Sequence, residues 1–259
     1  GFARAAARFQ ARLRHEKQTT LAEHTCARAG TQASRRPVAG IGRVLLWSGG
    51  SLWIGREAGR VEPHAHHAIQ IVLAMDAAFL LRDGDCGLRE HLGAVVMPHR
   101  RHHFDGRGHR TAMIFVEPEA AQGRALLARF AAAGLADLDH ETVRTLVSPL
   151  QTAYAAGAGN DALIAMAQDA AAALAGHAPG LAAVDARISC AIAWVRARLD
   201  SSLSLKDAAE VAHLSPSRFR HLFVAQAGVS FRAYLLWARV EMAVGAAMGF
   251  AACWMTNSD

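Results

Sequence analysis

Residues 203–228 read LSLKDAAEVAHLSPSRFRHLFVAQAG, and the local signals in this stretch agree with one another. Ser204 is a good N-cap for a helix opening at Leu205. Ala208 and Val211 stand three apart and line its inner face, and Ala209 is small enough to let a second helix cross closely. His213-Leu214-Ser215 makes a tight turn with Leu214 pointing inward. Ser215 caps again, and Pro216 suits the first helical position, where a missing N–H costs nothing. Phe219, Leu222 and Phe223 form the buried stripe of this second helix, and Gly228 ends it. Ser217, Arg218, Arg220 and His221 remain on its outer side. A recognition helix presents side chains to base edges from this position. Arginine suits guanine O6 and N7 through two parallel hydrogen bonds. Arg218 and Arg220 are two apart and face different ways, so one reads a base and the other meets a phosphate. An ordinary helical hairpin with a solvated arginine face is the alternative, but turn, caps, small residue and basic edge all favour a helix-turn-helix.

Together with its flanks, this stretch resembles the first half of the DNA-binding domain of AraC/XylS-type bacterial transcription regulators. The resemblance runs from Ile188 to Met248 and is carried by LSLKDAAEVAHLSPSRFRHLFVAQAGVSFRAYLLWARVEMAV. It includes an SxxxFxRxF-like core (Ser215, Phe219, His221, Phe223) and the linker-helix text FRAYLLWARVEMA. It implies that Ser217, Arg220 and His221 face bases and that Arg232 and Arg239 lie near the DNA backbone. It also implies double-stranded DNA and a second copy of the chain as partners. Members of that family carry a second helix-turn-helix after the linker helix, where this sequence has only AAMGFAACWMTNSD (246–259). The expectation is an incomplete reader, short of much of the phosphate contact and base readout. The apolar run Met242–Met255 would then lack its packing partner.

Upstream the pattern changes. From Ile41 to Val116 short apolar runs recur: Arg43–Trp47, Leu52–Gly55, Ala68–Ala74, Ala78–Leu81, Ala94–Met97 and Ala112–Val116. Gly49-Gly50, Asp83-Gly84-Asp85, Pro98 and Asp105-Gly106 punctuate them. Short strands at this spacing predict an antiparallel sandwich or small barrel. After Pro118 the segment is rich in alanine and leucine, with helices predicted over Glu119–Ala133, His140–Ala156 and Asp161–Gly176. Leu126, Leu127 and Phe130 mark an apolar face that packs on the sheet or on a second copy. Gly134, Gly157 and Pro179-Gly180 act as stops. A further helix is marked by Ile188, Ile192, Val195 and Leu199.

The strand region holds a dense run of histidines: His64, His66, His67, His91, His99, His102, His103 and His109. Pro63-His64-Ala65-His66 and Pro98-His99-Arg100-Arg101-His102-His103 resemble the two cupin metal motifs, H-x-H followed by an acid and P-x-G-x-x-H. Strand alternation puts His64 and His66 on one face, and the resemblance adds His103. Three imidazoles on one face suit Zn, Ni, Fe or Mn. Gln70 stands where the acid ligand would be and Arg100 replaces a glycine. The alternatives are imidazoles bonded to backbone and water, or a small-effector pocket in which His64, His66, Gln70 and His103, with Arg100 and Arg101, hold an anionic group. His67 is expected to point outward. AraC-type regulators commonly carry a cupin-like sensor before the reader, and that domain order matches this chain.

Composition bounds the rest. Hydrophobic residues make up 52% and charged residues 19%, which excludes a wholly disordered chain. The formal charge is +6, and residues 1–37 alone account for it, with eight Lys/Arg against Glu16 and Glu23. The remaining chain balances, so its net charge is no argument for nucleic-acid binding by the folded body. That leader is read as a poorly ordered basic arm. It lacks the apolar core of a secretory signal, which is about 7–15 residues. Four scattered cysteines without C-x-x-C exclude a disulfide scaffold and a zinc ribbon. No run reaches the roughly 18–20 apolar residues that span a bilayer, so a cytoplasmic location is expected. There is no phosphate-loop or dinucleotide fingerprint, and Ser48-Gly49-Gly50-Ser51 lacks the strand-to-helix context of a nucleophile elbow.

The expected organisation is α+β. Residues 1–40 are the basic leader, and 41–117 a cupin-like antiparallel barrel or sandwich. Residues 118–180 are a helical linker or dimerisation segment, and 181–259 an incomplete all-α helix-turn-helix region. The expected function is transcription regulation, with a small effector or divalent metal sensed in the barrel and the helix over 216–227 placed in the major groove. No enzymatic role is expected. A metal-dependent cupin enzyme and a DNA-incompetent sensor acting by dimerisation are the other two readings.

Overall fold

The computed structural model describes residues 39–58, 60–84, 86–176 and 184–255. The expected leader (up to residue 38), Asp85, the Pro179-Gly180 stop and the last four residues lie outside them.

Among the described residues, ten strands form two antiparallel sheets. They are β1 (Ala39–Trp47), β2 (Gly50–Ala58), β3 (Arg60–His64), β4 (Ile69–Ala74), β5 (Phe79–Asp83), β6 (Arg89–His91), β7 (Gly93–Val96), β8 (His102–Asp105), β9 (Arg110–Val116) and β10 (Leu135–Asp137). The larger sheet has the order β1-β2-β9-β4-β7-β10, and the smaller β3-β8-β5-β6. Strand parity explains how the layers close. In β4, Ile69, Ile71 and Leu73 join one core while Val72 and Ala74 join another. In β9, Ala112, Ile114 and Val116 split in the same way from Met113 and Phe115. One face of the large sheet therefore meets the small sheet, around Phe79, Leu81 and Phe104. The other face is covered by helices. A strand buried on both faces reads as a continuous apolar run, and every residue of β4 is buried.

Those covering helices are α1 (Ala121–Phe130), α2 (His140–Ala155) and α3 (Asn160–Ala175). Leu126, Leu146, Leu150, Leu163 and Leu174 complete the core on the outer side of the large sheet. The apolar face expected around Leu126 therefore packs on the sheet. Asp139 caps α2 by accepting from the Thr142 amide at 2.9 Å. Arg43 donates to the Ala158 carbonyl at 2.7 Å, tying β1 to the turn before α3. The barrel does not stop at residue 117: β10 falls within the segment read as purely helical, pairs with β7, and so extends the sheet.

The remaining helices form a third core. They are α4 (Ala186–Arg196), α5 (Leu205–Val211), α6 (Pro216–Ala227) and α7 (Phe231–Met255). Ser204 and Asp207 form a reciprocal capping box at α5. Ser215 accepts from the Arg218 amide at α6, and Gly228 ends it in the left-handed region at φ 73°. His213 holds φ 52° in the turn between them. Phe219 and Phe223 stack against Phe231 and Tyr234 with ring centroids 5.4–5.8 Å apart. Helix α7 also runs against β1, docking this helical unit on the barrel. The stretch Met242–Met255 continues that helix. Among the described residues no helix is long and apolar enough to cross a membrane.

Candidate functional site

Three imidazoles converge inside the barrel: His64 at the end of β3, His66 in the following loop, and His102 at the start of β8. One nitrogen from each lies within 4.8 Å of the others. His64 and His102 are direct cross-strand partners, with ring centroids 4.4 Å apart. His103 is not in the group. It follows His102 on a strand, so its side chain leaves from the opposite face, where it is also buried. The structure thus brings His102, rather than the expected His103, to His64 and His66. The sequence does hold a signal for this. Phe104 shares parity with His102 and belongs to the inter-sheet core, which makes His102 the inward residue.

Each of the three rings is held in the same way. His64 Nδ1 lies 3.0 Å from the Glu62 carbonyl, His66 Nδ1 2.9 Å from Ala68 and His102 Nδ1 2.9 Å from Arg100. An Nδ1–H donated to a backbone carbonyl fixes the tautomer and leaves Nε2 as the lone pair. Among the described residues His102 Nε2 is buried without a partner. Burial pushes the pKa of His66 down to about 4, and the neighbouring His102 and His64 push the same way. Burial likewise lowers His102 to about 4. Both rings are neutral near pH 7, the form that binds a metal.

Gln70 completes the site. It is buried, and its Oε1 lies 2.9 Å from His66 Nε2. His66 therefore has an oxygen at each ring nitrogen, and a neutral ring can donate to only one of them. A rotated Gln70 amide satisfies the metal-free ring. In the other case His66 and Gln70 would help to hold a cation. The donor set fits a borderline divalent ion such as zinc, nickel or iron, and suits manganese less because no carboxylate is among the donors. A bound ion would supply Lewis acidity or a fixed charge at this end of the barrel.

This end of the barrel is closed by the helical unit. Trp237 of α7 lies against His66 and Phe115, at 5.6 Å and 6.1 Å between ring centroids. His67, expected to point outward, is buried and bonds to Glu119 at 2.9 Å. The residues around it form a junction that sequence reading missed. Arg196, at the end of α4, pairs with Glu117 after β9 and with Glu241 of α7, and donates to the Tyr234 hydroxyl at 3.1 Å. Ser51 of β2 donates to Glu241 at 3.3 Å. Burial raises the Glu241 carboxyl above its usual range, opposed by Arg196. It also pushes the Tyr234 phenol up to about 12. Gly123 shapes the start of this junction, since a Cβ there would overlap the Glu117 carbonyl. No sequence motif marks these residues, because they come from four distant segments.

On the second candidate surface, Ser217, Arg218, Arg220 and His221 are all exposed on the first turns of α6, and Arg232 is exposed on α7. Arg239 is engaged internally. It donates to the carbonyls of Leu199 and Ser201, at 3.1 Å and 2.7 Å, and so ties α7 to the loop before α5. The resemblance implies a place for it near the DNA backbone, and in this structure it braces the helical unit.

No protein-family model and no curated protein matches the chain. Among solved structures it is similar to the AraC-like transcriptional activator CuxR, at 11% identity over 82% of this chain and 83% of that one, with a TM-score of 0.37. It is similar to ToxT from Vibrio cholerae at 10% identity, covering 73% of this chain and 98% of that one, with a TM-score of 0.26. It is also similar to an RmlC-like cupin protein from Desulfovibrio desulfuricans at 8% identity, covering 36% of this chain and 93% of that one, with a TM-score of 0.26. The fold assignment rests on the strand order and register above.

Proposed function

We propose that this chain is a DNA-binding transcription regulator with an AraC-type reader helix and a cupin-like sensor. The reading is carried by α6, a doubly capped helix with its aromatic stripe buried and Ser217, Arg218, Arg220 and His221 exposed along its opening turns. A helix entering the major groove presents this edge to the bases. In the sensor, His64, His66 and His102, with Gln70 beside them, hold a divalent metal or a small effector. Occupancy acts through Trp237, which touches His66, and along α7 to Phe231, which packs on Phe219 and Phe223 of the reader. The ligand then biases how α6 is held.

The test is selection from random duplex DNA, followed by titration against salt. An enriched motif is expected, and Arg220→Ala should lower affinity for it by about 1–3 kcal/mol while relaxing one base position. A steep salt slope with no enriched motif would mean phosphate attraction alone and would overturn the reading.

A metal-dependent cupin enzyme is the second reading, favoured by the three convergent imidazoles. Oxygen-dependent turnover by iron-loaded protein, lost in His102→Ala, would support it over the regulator.

A further inference from the structure

A cavity lies away from His64, His66 and His102. It occupies about 500 Å³ between the β1–β2 turn, the segment leading from β9 into α1, and one side of α4. Leu46, Trp47 and Ile192 give it apolar walls, and Glu117, Glu119 and Arg196 line its polar side. This volume lies within the range of small-molecule sites, roughly 300–1,000 Å³.

The polar side is unbalanced. The Glu119 side chain is only 4% exposed. Its Oε2 is taken by His67 at 2.9 Å. Among the described residues no donor reaches its Oε1. Neither nearby guanidinium reaches that oxygen. Arg196 serves Glu117, Glu241 and the Tyr234 hydroxyl. Arg124 donates through Nη1 to the backbone carbonyl of Glu119, at 2.6 Å, rather than to its carboxylate, and its Nε is buried without a partner among the described residues. A buried carboxylate oxygen without a donor is costly. An N–H donor removes that cost, and a cationic one does so best. An anion in the same place would meet two carboxylates.

We propose that this cavity binds a small organic cation, an ammonium or guanidinium group on a short apolar body, with Glu119 receiving the charged head. The apolar walls take the body. One side of the cavity belongs to the barrel and the other to α4, so the ligand bridges the two parts of the molecule. The proposal depends neither on DNA binding nor on a metal at the histidines.

The test is titration of the full chain with n-butylammonium and n-butylguanidinium, with n-butyrate and n-butanol as matched controls. Trp47 lines the cavity, so tryptophan emission reports occupancy, and thermal melting provides a second readout. Saturable responses to both cations and none to butyrate are expected. Glu119→Gln should weaken the cations by about tenfold or more, since a hydrogen bond to a charged group is lost. Because Glu119→Gln also disturbs His67, a second variant guards the test. Ala193→Phe fills the cavity from the exposed side of α4 and should abolish the response with the fold retained. An equal response to butyrate or butanol, unchanged binding in Ala193→Phe, or no saturable response to either cation would each overturn the proposal.

Discussion

His66 and His213 are single residues whose surroundings set a measurable consequence. In the metal-free chain, burial keeps His66 and His102 neutral down to about pH 4. The unfolded chain protonates histidine near pH 6.5. The unfolded state therefore binds more protons between these values, and stability falls as the pH drops through that window. The slope is up to about 1.4 kcal/mol per pH unit for each ring. Urea midpoints at pH 7 and pH 5 check this, and equal midpoints would contradict it. His213 is a different case. Its left-handed φ of 52° sits in the turn before α6, where a Cβ is penalised. His213→Gly is expected to stabilise the chain by about 0.5–1 kcal/mol and His213→Val to destabilise it by more, because β-branching worsens the clash. The two denaturant midpoints should move in opposite directions.

Among the elements, α6 depends most on one aromatic cluster. Phe223 is buried against Phe219, Phe231 and Tyr234. Truncating it leaves a cavity that three rings cannot collapse to fill. Phe223→Ala is expected to cost about 3–5 kcal/mol. Loss of helical circular dichroism at lower denaturant, with the β signal retained, would show that the cost falls on the C-terminal helical unit. Strand β8 illustrates a different dependence. Its parity decides which of two adjacent histidines enters the barrel, and a shift of one residue would exchange His102 for His103.

At the scale of the molecule, Arg196 joins the two halves. It sits between Glu117 of the barrel and Glu241 of α7, and both carboxylates are almost fully buried. Removing the guanidinium strands two acids in the junction. Arg196→Met is expected to cost about 3–5 kcal/mol, and to separate the unfolding of the barrel from that of the helical unit. Calorimetry is then expected to resolve two transitions in the variant and one in the parent chain. A single transition at the parent temperature would show that the junction contributes nothing to coupling.

Much was legible from local signals because the relevant physics is local. Ser204, Ser215, Pro216 and Gly228 act within a turn of their own positions, so both short helices and the exposed edge of α6 follow from the text alone. Short apolar runs placed β1, β2, β4, β5, β7 and β9 but not β3, β6, β8 or β10, and alanine–leucine spacing placed α1 to α3 to within a few residues. Other features depend on where distant segments meet. The choice of His102 over His103 needed the face of β8 set by the inter-sheet core. Burial of His67 needed Glu119, and the engagement of Arg239 needed the carbonyls of Leu199 and Ser201. The junction of Arg196, Glu117, Glu241 and Tyr234 comes from residues far apart in the chain, each ordinary in its own neighbourhood. Capping and apolar spacing are short-range, so the sequence by itself determined the capped helices and the most apolar strands, while short strands such as β8 and β10 depend on the sheets they join. Charge pairing and ligand convergence act through space, so only the tertiary structure decided which side chains make a site.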